Sequence, residues 1–310
     1  MTQPPTAPAG SRIGNRAFSA LRCVLLAATV ALAGCARPSS GPADANAHRL
    51  VSTAPNLTEC VCAVGAADQL AGRTEACNYP PEVVRRVPVI GGFGTPSLEP
   101  LLAVHPTLVL ETVLADPEVK RRLTAAHIPI VHISCARLGE IPDALLRVGD
   151  LTGHTNEASV LAQSIRTGII SARADASQRA DRPRVLLLCA SDTPITCGRH
   201  AFISELLEIA GGINIGNASD ADYYHVSVEW VLAQNPDLIV CLFETRATDP
   251  GRLFERQTGW RGLDAVRRHR VYSVINLDVV CRPGPRVLEG LAEFKRILAL
   301  DTQRHPRTHD

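Results

Sequence analysis

Cysteine, histidine, arginine and tyrosine offer the most chemistry in this chain, and their spacing argues for holding a ligand rather than transforming one. The 310 residues include 10 cysteines, 10 histidines and only 4 tyrosines. Cys60-Val61-Cys62 has a single residue between its thiols, whereas zinc knuckles use two or more. His105, His127 and His132 are scattered, with no nucleophile at a spacing that suggests a triad. G-x-S-x-G, a P-loop and H-E-x-x-H are all absent. Gly91-Gly92-Phe93-Gly94 falls short of the dinucleotide fingerprint and runs into Pro96. No catalytic residue, metal centre or intrinsic cofactor is therefore assigned. An enzyme on the same frame stays as a rival, because a fold does not fix a function.

The elements that must position these residues begin behind a leader. Residues 1–34 contain Arg12, Arg16 and Arg22, no acidic residue, and an apolar run from Cys23 to Ala33. That run is too short to span a bilayer, which takes about 20 residues, and reads as a secretion signal. It ends Leu32-Ala33-Gly34-Cys35, which looks like a bacterial lipobox with Cys35 as the lipidated residue. Residues 35–47, rich in Pro, Ser, Gly and Ala, make a flexible tether. The body is then expected to be exported and lipid-anchored, facing the periplasm or the cell exterior. In that compartment disulfides persist. Net charge is only +1, so no basic surface for nucleic acid is indicated.

The body alternates strands and helices, an α/β pattern that predicts mostly parallel sheets with covered faces. Strands are expected at 49–52, 108–111 and 130–133, with a helix from Thr58-Glu59 to Gly65 and another over 117–126. The pattern restarts after Pro183 with strands at 184–189, 238–242 and 271–275 and a helix at 201–210. Ser97 to Leu110 aligns without gaps to Ser227 to Val240 at a constant offset of 130, with 6 identities in 14 positions. Each copy reads as a Ser N-cap, a Glu in the first turn, a short apolar helix, a Pro break and a strand. Asn156 to Ala180 reads as one long helix with a stripe at Leu161, Ile165 and Ile169. These signals divide the chain into an N-terminal lobe at 48–152, a linking helix at 153–181, a C-terminal lobe at 182–304 and a tail at 305–310. Each lobe is expected to be Rossmann-like. A helical connector is stiff, so hinge closure is expected to be small.

Ligands of α/β lobes gather beyond the carboxyl ends of the strands. The loops expected there place Asn56, Cys77, Tyr79, Phe93, Tyr223, Tyr224 and Arg282 as ligand-binding candidates. Aromatics make up only 4% of the chain, so their presence in these loops is informative. Phe93 and Tyr223 stand four residues before Ser97 and Ser227, at equivalent places in the repeat. Arg282 suits a ligand phosphate, amide or carboxylate, or a neighbouring carboxylate of the protein. Cys197 and Cys281 follow separate strands of one lobe and are expected to form a disulfide, with Cys62–Cys77 as a second possible pair. Cys189 and Cys241, inside apolar strands, read as core.

Lipobox, tether, two α/β lobes and one linking helix together resemble periplasmic binding proteins of the cobalamin and ferric-siderophore class, the helical-backbone type of solute-binding lipoprotein in ABC importers. The resemblance rests on Ser52 to Glu59, Glu75 to Pro81, Ala210 to Asn214, Val226 to Glu229 and Arg282 to Arg286, in that order. It implies a monomer that captures a metal chelate between its lobes, with cobalamin or another corrinoid favoured. A ferric siderophore or haem is the alternative, and a non-transport ligand sensor is a further one. It implies stacking roles for Phe93 and Tyr223. The partner implied is a permease dimer with its ATPase, docked through Glu99 and Glu229, one on each lobe. The likeness departs at Ala76, where an aromatic of the cobalamin-type receptors is missing.

Overall fold

The computed structural model describes residues 48–244, 250–274 and 276–305. The leader, Cys35, the tether, Ile275 and residues 306–310 lie outside the described residues. In chain order the first half runs β1 (Leu50–Ser52), α1 (Pro55–Ala63), β2 (Leu70–Gly72), α2 (Pro81–Arg86), β3 (Gly91–Gly92), β4 (Thr95–Pro96), α3 (Leu98–Ala103), β5 (Leu108–Glu111), α4 (Pro117–Ala125), β6 (Ile130–His132), α5 (Ile141–Thr152) and α6 (Thr155–Ser177). The second half runs β7 (Arg184–Ala190), β8 (Ile195–Cys197), α7 (Phe202–Ala210), β9 (Ile213–Asn214), β10 (Tyr223–His225), α8 (Val228–Gln234), β11 (Leu238–Cys241), α9 (Gly251–Glu255), α10 (Asp264–Arg267), β12 (Val271–Ser273), α11 (Leu277–Cys281) and α12 (Val287–Arg304). Among the described residues, no helix is long and apolar enough to cross a membrane.

The N-terminal sheet is parallel throughout, ordered β2-β1-β5-β6. The C-terminal sheet is ordered β10-β8-β7-β11-β12, with β9 also on β7. Its β7, β11 and β12 are parallel as the sequence predicts, and so is β9 on β7, but β8 runs antiparallel to β7 and β10 antiparallel to β8. Tyr223 and Tyr224, expected in a loop, therefore lie in a strand, β10, paired with β8. Ile-Thr-Cys and Tyr-Tyr-His are β-prone triplets too short to show a period, and each satisfies its backbone on the other. The start of α1 also differs: Pro55 occupies its first turn, three residues before the expected start. Proline's fixed φ and missing N–H suit that position.

Alternation along the strands splits the core. Leu50 and Leu110, with Val185 and Leu187, face a continuous apolar interior that includes Leu57, Leu145, Ile165, Leu206 and Phe294. Val51 and Val109 face a separate cluster on the outer side of their sheet, as Leu186 and Leu188 do on theirs. Helix α6 buries Ala158, Ala162, Ile165, Ile169, Ala172 and Ala176, a stripe of mostly small residues that brings its neighbours close. A Cβ on Gly149 of α5 would collide with Ala158, so glycine sets the α5–α6 approach. The connector is thus packed along its length rather than a free strut. Gly211, at φ 105°, ends α7 in the left-handed conformation that only glycine adopts without cost.

The repeat holds in structure as well as in sequence. Strand β5 maps onto β11 at the offset of 130, and the helices start at Leu98 and Val228. His105 and Asn235, also 130 apart, both have positive φ, at 46° and 41°. Arg49 Nη2 donates to the carbonyl of Val104 at 2.7 Å, and Arg184 Nη1 to that of Gln234 at 2.7 Å. In both lobes a guanidinium therefore caps the carbonyl end of the repeat helix, where its charge is favourable. The backbone N–H groups of the same arginines donate to Thr107 Oγ1 and Asp237 Oδ2, again 130 apart. The serines differ: Ser227 Oγ accepts from Trp230 N at 3.1 Å, whereas the Ser97 side chain makes no capping bond.

Candidate ligand cleft and its buried charge clamp

Helix α1 carries one acidic residue in an otherwise apolar face. Leu57, Cys60 and Val61 around it are fully buried, and Glu59 itself is 3% exposed. A carboxylate in that setting must be paired. Its partners come from the other lobe, across the Pro283-Gly284-Pro285 turn between α11 and α12. Arg286 donates from Nε to Oε2 at 2.8 Å and from Nη2 to Oε1 at 2.7 Å, a bidentate fork. Arg282 adds Nη1 to Oε1 at 3.3 Å. Its Nη2 pairs with Asp278 at 2.8 Å and donates to the carbonyl of Ala76 at 3.2 Å. Asn78 bridges the same group, accepting from Arg282 at 2.6 Å and donating to Asp278 at 2.7 Å. Asn56 Nδ2 donates to the carbonyl of Pro283 at 3.1 Å. The hydrogen bonds to Glu59 raise the Arg286 pKa further above its ordinary value. A second bridge between the lobes runs from Arg137 to the carbonyl of His200.

The sequence-predicted site residues divide on this geometry. Asn56, Tyr79 and Arg282 come together, but as parts of the clamp: Arg282 is ion-paired, and the Arg286 guanidinium lies 4.0 Å from the Tyr79 ring centroid. Phe93 and Tyr223 are open to solvent, at 53% and 50% exposure, one on each lobe. Partial desolvation, with the thiols of Cys197, Cys189 and Cys281 nearby, pushes the half-exposed Tyr223 phenol above the ordinary value. Cys77 is not in a position to touch a ligand. It is buried between the hydroxyls of Thr58 and Thr74, at 3.2 and 3.3 Å from its sulfur. Tyr224 is also turned away: its hydroxyl donates to the carbonyl of Gly216 at 3.0 Å and its ring meets Trp230 edge-on. Strand pairing explains this, since successive residues of β10 face opposite sides and Tyr223, not Tyr224, faces out.

The expected Cys197–Cys281 disulfide is not formed. All eight cysteines of the described residues are unbridged, Cys62 and Cys77 included. The nearest sulfur to Cys197 is instead that of Cys189 at 3.5 Å, because β7 and β8 are adjacent strands. The hydrogen bond from Cys197 holds the Cys189 thiol below its usual pKa, and the same bond together with burial pushes Cys197 up. Burial pushes the Cys135 thiol up to about 12. Cys241 is fully buried, as a core residue should be.

Beside the clamp is a depression of about 330 Å³ lined by Asn56, Phe93, Val113, His132, Cys135 and Pro283, among others. It lies beyond the carboxyl ends of β5 and β6, with Pro283 of the second lobe at its edge. Glu99 and Glu229 are exposed in the first turns of α3 and α8. The Glu229 carboxyl is held below the usual carboxylate range by its own backbone N–H and by the Ser227 hydroxyl. Glu59, Asn78, Asp278, Arg286 and His132 were not picked out from sequence. A lone charge in the apolar run of α1, and arginines four apart around Pro-Gly-Pro, were the signals available for the clamp.

Two α/β lobes, one with a parallel sheet and one with a mixed sheet, share a packed helix and meet at a cleft. The chain matches the periplasmic binding protein family over residues 50–275. It belongs to that family. An uncharacterised ABC transporter substrate-binding lipoprotein of Bacillus subtilis is 28% identical over 261 residues, covering 82% of this chain and 81% of the relative. A vitamin B12-binding protein of Pectobacterium carotovorum is 28% identical over 243 residues, covering 78% and 84%. Among solved structures, a periplasmic haem-binding protein of Roseiflexus superposes with a TM-score of 0.69 at 25% identity, covering 81% of this chain and 99% of that one.

Proposed function

We propose that this protein is the solute-capturing lipoprotein of an ABC importer, and that it takes a metal chelate, a corrinoid by preference, into the cleft between its lobes. The observation that carries the reading is the pair Phe93 and Tyr223: two scarce aromatics, both about half exposed, at equivalent places of a duplicated unit. A large flat ligand gains from a ring on each side. The vitamin B12-binding relative supports a corrinoid. The haem-binding neighbour keeps haem as a second reading, since both ligands are tetrapyrrole-type chelates. Anchoring through Cys35 is supported by the lipoprotein relative and by the lipobox. The protein acts by binding, with no catalytic step.

Glu99 and Glu229 are the contacts proposed for the permease dimer. The duplicated frame presents them from matching first turns, which suits a partner of two-fold symmetry. Thermal denaturation with increasing cyanocobalamin, hemin and ferric siderophores tests the capture reading. The true ligand raises the midpoint in proportion to the logarithm of its concentration. If none of the three classes raises it, the reading is wrong. Charge reversal at Glu99 or Glu229 should weaken uptake in a reconstituted importer and leave ligand affinity unchanged; equal loss of both contradicts the docking role.

A further inference from the structure

Three thiols of the C-terminal lobe gather beside Tyr223, and ligand capture as proposed uses none of them. Cys189 stands near the end of β7, Cys197 closes β8 and Cys281 closes α11. The sulfurs of Cys189 and Cys197 are 3.5 Å apart. Their strands are antiparallel neighbours, and the register slips between Leu188 and Ala190, which face Thr196 and Ile195. Cys189 is therefore the extra residue of a β-bulge, without a strand partner of its own. Cys197 in turn pairs with Tyr223 across the next ladder.

Burial separates this pair from the other thiols. Cys60 and Cys241 are fully buried, where a thiol serves as inert packing. Cys189 is only partly buried, while Cys197 beside it is 0% exposed. The bond from Cys197 also holds the Cys189 thiol below its usual pKa, and the thiolate is the form that reacts. An accessible thiol that ionises early, in contact with a sheltered second thiol, is the layout of an attacking and a resolving cysteine. A disulfide needs the sulfurs closer still, and at a bulge the strand is free of the regular ladder and can give. A metal ion fits less well. Among the described residues, no group of three or more His, Cys, Asp or Glu could hold one.

We propose that Cys189 and Cys197 are a redox pair, which a disulfide-donating oxidant of the exported compartment closes into a staple between β7 and β8. This rests on export and not on the identity of the ligand. The Cys189 thiolate attacks one sulfur of the donor disulfide, forming a mixed disulfide and releasing one donor thiolate. The Cys197 sulfur then attacks the Cys189 sulfur, forms the intramolecular bond and expels the second donor thiolate. Two electrons pass to the donor, and the protons of the two cysteines end on its two thiols. The staple ties the strand that pairs with Tyr223 to the interior of the sheet, and so fixes the base of that ring. Cys281 stays a free thiol.

Both cysteines fall in one tryptic peptide, residues 185–199, and Cys281 falls in another. The purified protein is incubated with oxidised or reduced glutathione, alkylated in denaturant and mapped by mass spectrometry. After oxidised glutathione, peptide 185–199 should carry no alkyl label and be two hydrogens lighter than its reduced form, with Cys281 labelled. In Cys197→Ala, Cys189 should be trapped as the mixed disulfide with glutathione; in Cys189→Ser, Cys197 should stay a free thiol. The oxidised wild type should unfold about 5 °C above the reduced form, and Cys189→Ser should show no difference between the two buffers. Full labelling of both cysteines after oxidised glutathione overturns the proposal, and so does a link from either one to Cys281. Equal unfolding midpoints overturn the staple. Chelate binding enters none of these readouts, so failure of the capture reading leaves the proposal standing.

Discussion

Two arginine–carboxylate forks, one within the C-terminal lobe and one between the lobes, serve different ends. In the C-terminal lobe Arg270, just before β12, forks onto Asp301 of α12 at 2.8 and 2.6 Å, with the Tyr272 hydroxyl donating to the same carboxylate at 3.0 Å. That pair is internal and ties a strand to the closing helix. Glu59 of the N-terminal lobe forms the same fork with Arg286, but its partner belongs to the other lobe. One pair holds a lobe together; the other holds the lobes to each other, at the edge of the cleft. A buried fork is therefore not a functional mark in itself. Its meaning comes from which elements it joins.

The largest expected effects separate these two pairs. Removing either carboxylate leaves buried guanidinium charge unpaired, so Asp301→Ala and Glu59→Ala should each lower unfolding free energy by about 3–5 kcal/mol in denaturant titrations. Only Glu59→Ala should also change ligand affinity, because only it frees the α11–α12 turn beside the cleft. If both variants, or neither, alter affinity, the distinction between them fails. A Glu59→Leu, Arg286→Leu double variant should be much less destabilised than Glu59→Ala, since it leaves neither charge of that fork unpaired.

Helix contacts give a middle-sized comparison. Gly149→Val should cost about 1–3 kcal/mol, because its side chain meets Ala158 and the backbone of His154. Gly168→Ala on α6 meets only the flexible side chain of Leu288 and gains helix propensity of about 1 kcal/mol. The net change there should be under about 1 kcal/mol by the same titration. The smallest effect separates the two copies of the repeat. Ser227→Ala loses a capping bond and should cost about 1 kcal/mol, whereas Ser97→Ala loses none and should be close to neutral.

The repeat was legible because its grammar is local: a proline, a strand and a helix start recur at fixed spacing in Ser97–Leu110 and Ser227–Val240. The α/β alternation and the parallel strands β1, β5, β7 and β11 were legible for the same reason. The β8–β10 pairing was not, because three-residue strands pair on contacts far apart in sequence, and that pairing sends Tyr224 inward. Cys77 was misplaced because a thiol between two threonines looks no different in sequence from a thiol in a loop. The Cys189–Cys197 contact depends on a strand neighbour that the sequence did not reveal. Glu59, Arg286 and His132 depend on tertiary partners 227 residues away in one case and across a sheet register in the other. Phe93 and Tyr223 stood out only because the repeat made their positions comparable.

The central claim is that a ring from each lobe grips one flat chelate. Calorimetric titration of cyanocobalamin and of hemin into the wild type, Phe93→Ala and Tyr223→Ala tests it most directly. The account predicts that at least one of the two chelates binds the wild type, and that each substitution weakens it about tenfold, near 1.4 kcal/mol, with stability unchanged. Wild-type affinity retained by both variants would contradict it.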